Sequence, residues 1–191
     1  MGNRNTPPRT FPQTVVISTA SERIHSVDAR LPSKPVPDAS ESLPGYVEGM
    51  ELTSTQKTFI ELNRSAAMIT VGDDGYAKAI RVGVAVIDGR IWSSGTVDRV
   101  RTGRVRHDPR CTLFIFGSGY ETLTLETKVS IIEDNDAVDG SVRLFREMQG
   151  RPEGPLTWYG RELGEEDFRQ AMVEERRLIY VLTPVKAYGV H

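Results

Sequence analysis

Four arginines, Arg99, Arg101, Arg104 and Arg106, follow closely behind the small hydroxyl residues Ser93, Ser94 and Thr96. Apolar Ile91-Trp92 lead into those hydroxyls as the end of a strand. The arginines then fall on a short helix, which Asp108-Pro109 must stop because proline disfavours the helical region for the residue before it. Cys111-Thr112-Leu113-Phe114-Ile115-Phe116 resumes as an apolar strand. Hydroxyls at a strand end, unpaired amides at a helix start and several guanidiniums suit a phosphate or a polycarboxylate. The helix start supplies N–H groups and positive dipole, and arginine supplies a fork of donors that fits paired anionic oxygens. A basic run can also be a solvated helix face. Its position between two apolar strands favours the anion site.

Other reactive residue types read as structural. Cys111 is the one cysteine. It cannot form an intramolecular disulfide, and its apolar surroundings fit a small buried strand residue better than a nucleophile. Glu133-Asp134-Asn135-Asp136 lacks the glycine and terminal glutamate of a calcium loop, so it reads as a helix start and no metal site is expected. His107 falls in the last turn of the basic helix, where a cation offsets the dipole. Trp158-Tyr159 either line a pocket for a planar ligand or plug the core under the C-terminal helix. Arg176 and Arg177 flank the last strand; one is a candidate interface ion-pair partner and neither is assigned to catalysis. No acid or base residue is assigned.

The elements that must position these residues are mostly strands. A helix capped by Thr53 or Ser54 is predicted to about Arg64. Strands are predicted over 66–71, 77–87, 90–94, 111–116 and 121–133, with turns at Asp73-Asp74-Gly75, Asp88-Gly89 and Gly117-Ser118-Gly119. Leu123, Leu125, Val129 and Ile131 alternate as in a half-buried strand. Helices are predicted over 137–148 and 165–175, and a last strand over 178–190 interrupted at Pro184. Hairpins in succession without βαβ alternation predict a mainly β, antiparallel barrel with flanking helices.

Residues 47–191 are expected to form this one domain. Residues 1–46 are expected to be a flexible extension, because Pro7, Pro8, Pro12, Pro32, Pro35, Pro37 and Pro44 recur among polar residues. Thr14-Val15-Val16-Ile17-Ser18 within it could add an edge strand. A net charge of −2 over 191 residues implies neither bulk nucleic acid nor an anionic membrane as partner. Without an apolar run of spanning length or a signal-peptide core, a cytoplasmic protein is expected.

The run from Asp98-Arg99-Val100-Arg101-Thr102 to Arg106-His107-Asp108-Pro109-Arg110 resembles a segment of the split β-barrel flavin/deazaflavin oxidoreductases, relatives of pyridoxamine 5′-phosphate oxidase. The tail from Phe168-Arg169-Gln170-Ala171-Met172-Val173-Glu174-Glu175-Arg176-Arg177 to Pro184 and Tyr188-Gly189 is similar to the subgroup that uses the deazaflavin coenzyme F420. The resemblance spans about Thr53 to His191. It implies a split β-barrel of FMN-binding type, a homodimer with cofactor in the interface groove, and a small-molecule substrate. Ser93, Ser94 and Thr96 would touch the cofactor. Arg99, Val100 and Arg101 would form the phosphate clamp, Arg104 would reach an acidic tail, and Arg81 would add to the same anion site. Tyr120 would pack on the partner's cofactor. Arg101 stands where the family usually has lysine, and Gly103-Arg104 where arginine and asparagine are common. The implied activity is hydride transfer from F420 to an unsaturated organic acceptor. The alternatives are an FMN-dependent oxidase or reductase and a non-catalytic flavin- or haem-binding protein.

Overall fold

The computed structural model describes residues 49–190. The proline-rich extension and the strand expected at 14–18 lie outside them. The elements run in the order α1 (Ser54–Leu62), β1 (Ser65–Val71), β2 (Ala77–Gly83), β3 (Ala85–Ile87), β4 (Arg90–Thr96), α2 (Val100–His107), β5 (Arg110–Phe116), β6 (Thr122–Ile132), α3 (Asp134–Gln149), β7 (Leu156–Trp158), β8 (Arg161–Leu163), α4 (Glu165–Glu174) and β9 (Arg177–Gly189).

Seven strands form one antiparallel sheet in the order β2-β1-β5-β6-β9-β4-β3. Its two edge strands, β2 and β3, are joined in the chain by Val84 alone. One edge of the sheet must therefore come round to the other, and the sheet curls into an open half-barrel. Sequence alternation predicts one strand over 77–87. It breaks at Val84, which is fully buried and donates its N–H to the Arg64 carbonyl, so the chain leaves β1 and joins β4.

The inner face carries Met68, Val82, Ile91, Leu113, Ile115, Leu123, Leu125, Leu178, Tyr180 and Leu182 as one buried cluster. α1 closes the barrel with Ile60, held by a capping box between Thr53 and Gln56. α2 closes it too, with Val105. On the outer face α3 covers Trp92, Ile179 and Val181. Gly140 makes this approach possible: a Cβ there would meet Ile179 at 3.1 Å and Trp92 at 3.5 Å. α4 and the β7–β8 hairpin pack a third cluster of Val142, Leu156, Phe168 and Met172 against α3.

Three boundaries differ from expectation. α3 begins at Asp134 rather than 137, with Asp134 and Asp136 in its first turn, where carboxylates suit the dipole. β9 runs unbroken through Pro184. Pro184 pairs with Thr127 beside a register shift, and β4 pairs with β9 only as far as Leu182, so the missing N–H falls where one neighbour has ended. The aromatic segment at 156–159 is a hairpin strand, paired Leu156↔Leu163 and Trp158↔Arg161.

Candidate functional site

β4 and its exit into α2 carry most of the residues singled out from sequence. Alternation sends Ser93 and Gly95 inward and Ser94 and Thr96 outward. Their cross-strand partners agree: Ser93 pairs with Tyr180 of the inner cluster, Ser94 with Ile179 of the outer one, and Thr96 with Arg177. Ser93 is wholly buried. The hydroxyls of Ser93 and Ser94 are both buried without a hydrogen-bond partner.

Tyr180 is the fixed point of the site. A Cβ on Gly95 would stand 2.5 Å from its ring, so β4 lies flat on the tyrosine only because residue 95 has no side chain. Its hydroxyl is 2.6 Å from Thr102 Oγ1, and that hydroxyl donates to the Thr96 carbonyl at 2.7 Å. The first turn of α2 is thereby tied to both the end of β4 and the floor of the barrel. The Arg99 carbonyl, at the N-cap, accepts from Thr102 and Gly103.

The arginines separate by partner. Arg106 is paired with Glu133 at 2.6 Å, and Arg110 with Asp108 at 2.6 Å. The Arg110 side-chain bond holds the Asp108 carboxyl down at about 2, with help from the Arg110 backbone N–H. Arg104 donates from Nε to the neutral Thr70 hydroxyl at 2.9 Å. Arg101 lays its guanidinium over the Tyr180 ring at 5.8 Å, and its Nε is buried without a partner. Arg99 is exposed, and no bond to its guanidinium is found among the described residues. Three guanidiniums, on Arg99 at the N-cap, Arg101 in the first turn and Arg104 in the last turn of α2, thus have no carboxylate partner among the described residues. Uncompensated charge beside an orphaned buried donor fits a bound anion such as a phosphate better than a solvated face.

The remaining candidates lie elsewhere. Arg81, on β2, donates to Ser65 Oγ at 2.7 Å and lines a groove of about 590 Å³ with Leu62, Ala67, Ala79, Ile80 and Phe116. Val100 and Tyr120 are exposed at 75% and 104%. Cys111 is buried at 4%, and burial pushes its thiol up to about 11. Trp158 packs edge-on against Phe145 and Phe168, at 5.0 and 5.7 Å between centroids, and donates to Glu175 at 2.9 Å. It plugs the space between α3 and α4, whereas Tyr159 is exposed at 76%. Arg176 pairs with Asp98 at 2.9 Å, within the chain. No group of three or more metal-binding side chains is found among the described residues, and no helix there is long and apolar enough to cross a membrane.

Sequence reasoning missed Tyr180 and the tie made by Thr102, and it offered Arg177 only as a candidate interface ion-pair partner, whereas Arg177 pairs with Glu175 of the same chain at 2.7 Å. Gly95 at a strand end was the available signal for the tyrosine, because a glycine inside a strand often marks the close approach of another group.

A family model described as Pyridoxamine 5'-phosphate oxidase matches residues 52–191. No curated protein matches the chain. Among solved structures, a conserved hypothetical protein from Mycobacterium tuberculosis is similar with a TM-score of 0.57 and 21% identity, over 75% of this chain and 89% of that one. An F420 reductase is similar at 0.52 and 16% identity, over 69% and 94% of the two chains. HutZ, the heme storage protein from Vibrio cholerae, is similar at 0.52 and 12% identity, over 73% and 95%. At these identities the likenesses concern the fold.

Proposed function

We propose that this chain, which belongs to the pyridoxamine 5′-phosphate oxidase family, is an oxidoreductase that holds the deazaflavin coenzyme F420 and reduces an unsaturated organic acceptor. The observation that carries this reading is the set of three guanidiniums, Arg99, Arg101 and Arg104, without carboxylate partners among the described residues. A cofactor with a phosphate and an acidic tail answers that much positive charge. Arg99 and Arg101 bind the phosphate. Arg104 stays within reach of the tail. When bound, the deazaflavin supplies the hydride. The protein's part is to bind, orient and exclude water. A dedicated acid or base is not required of it.

The groove beside Arg81 exposes Leu62, Ile80 and Phe116 at 78%, 41% and 50%. A second copy of this chain covering that face accounts for the exposure, and it gives the exposed Tyr120 a partner to reach. FMN is the second reading. Arg104 is already bonded to Thr70, and the two guanidiniums left suffice for one phosphate.

Arg104→Ala separates the two. It should weaken F420 binding about 10-fold or more, as expected for one lost charge-assisted bond, while FMN binding stays within about 2-fold. Equal loss for both cofactors, or for neither, would remove Arg104 from the tail and return the site to a single-phosphate clamp.

A further inference from the structure

The β7–β8 hairpin turns on Tyr159-Gly160, with φ of +46° and +76°. Both residues are in the left-handed region, as a two-residue hairpin of this type requires. Asparagine, aspartate or glycine suits the first position. A bulky aromatic there is strained, and such outliers persist where surrounding contacts hold them.

The contacts that hold Tyr159 lead to the candidate site. Arg177 donates from Nη2 to the Tyr159 hydroxyl at 3.1 Å, lies over the Trp158 ring at 4.7 Å and is paired with Glu175 at 2.7 Å. Trp158 backs the phenol, with 4.7 Å between ring centroids. Arg177 is also the cross-strand partner of Thr96, so the two side chains leave the same face of the sheet side by side. One residue further on, Val97 donates its N–H to the Arg176 carbonyl, and Arg176 pairs with Asp98. The turn that opens the anion site and the turn that carries Tyr159 are therefore linked through the start of β9, where Arg177 pairs with Thr96 by its backbone and reaches Tyr159 by its side chain. The phenol is immobilised at its hydroxyl and edge, yet 76% exposed.

We propose that Tyr159 is a ring-binding residue: its exposed face takes the planar ring of the ligand whose anionic end the β4–α2 turn holds. This rests on the reading of that turn as a cofactor site. An aromatic face fixed in advance gives up little freedom on binding, which suits stacking on a flat heteroaromatic system. The cost is the strained backbone, which a stability-optimised turn would avoid.

The test uses the cofactor-free full chain, titrated with FMN and with F420 while the emission of the ring is followed. Stacking on a phenol quenches such a ring. Wild type should quench the ring of whichever cofactor binds, whereas Tyr159→Phe, which keeps the aromatic face and loses the phenol, should bind nearly as tightly with the ring left brighter. Tyr159→Asn should leave the bound ring bright and weaken binding about 3- to 10-fold, the size of one aromatic stack, while melting no lower than wild type because asparagine tolerates the turn. If Tyr159→Asn binds and quenches like wild type, the inference is overturned and the cofactor site stands. If wild type binds neither cofactor, the cofactor reading falls and the inference falls with it.

Discussion

At the scale of single residues, binding and stability separate cleanly at Arg99 and not at its neighbours. Arg99 spends its carbonyl on the helix cap and leaves its guanidinium exposed. Arg99→Ala should therefore weaken cofactor binding on the order of 2–3 kcal/mol with the melting temperature unchanged; unchanged affinity by titration would take Arg99 out of the site. Thr102 is the opposite case. Its hydroxyl joins Tyr180 to the Thr96 carbonyl in a buried setting. Thr102→Val should cost about 1–3 kcal/mol of stability, read by denaturant unfolding, and should loosen the anion turn as well. Two titrations bound the pH range. Asp108 is held at about 2, below its ordinary 3.8, so the stability it contributes with Arg110 is present above pH about 4 and lost as pH falls through about 2. Cys111 is raised to about 11 from 9.0 by burial, so the neutral thiol contributes fully below pH about 9, and that contribution is lost as pH rises through about 11. Thiol-specific labelling of Cys111 should accordingly be slow in the native state and normal in denaturant; fast native labelling would contradict its burial.

At the scale of elements, the strands with alternating pattern and glycine turns were legible, and the elements defined by pairing were not. Asp88-Gly89 forms its hairpin with φ of +50° and +73°, and of the alternate positions that its sequence marks, β6 buries Leu123, Leu125 and Val129 and half-buries Ile131. β7 and β8 have three residues each, too few for a period, and their turn begins with a tyrosine that no turn preference announces. Pro184 misleads for a related reason: its tolerance depends on where β4 ends beside β9, a fact of register. The site divides in the same way. Sequence spacing places the hydroxyls and arginines together on the β4–α2 connection. It cannot say that Arg106 belongs to Glu133, that Arg104 reaches Thr70, or that Tyr180 lies under Gly95, since each partner is distant in the chain. The module of α3, α4 and the hairpin invites a direct check. Phe168 is fully buried against Phe145 and Trp158. Phe168→Ala should cost about 3–5 kcal/mol, and a loss below about 1 kcal/mol would mean that this cluster collapses around the gap.

At the scale of the whole molecule, β1, β2 and β5 form the groove at Arg81 and Phe116, where the end of α1 at Leu62 is the one helical contribution among the described residues. A second copy of the chain is the proposed cover, with a solution mass about twice 21.3 kDa by light scattering. Phe116→Glu, placing a charge in that face, should shift the mass to the monomer; a wild-type monomer at micromolar concentration would remove the dimer from the account. The central claim concerns the polyanion-holding arginines, and a parallel titration of the cofactor-free protein with F420 and with FMN, at low and at high salt, tests it most directly. The account predicts selective binding of the deazaflavin that weakens steeply with salt, because three uncompensated guanidiniums carry it. Tight FMN binding with no response to the deazaflavin would contradict it, leaving the fold and the family and moving the function to a flavin-dependent one.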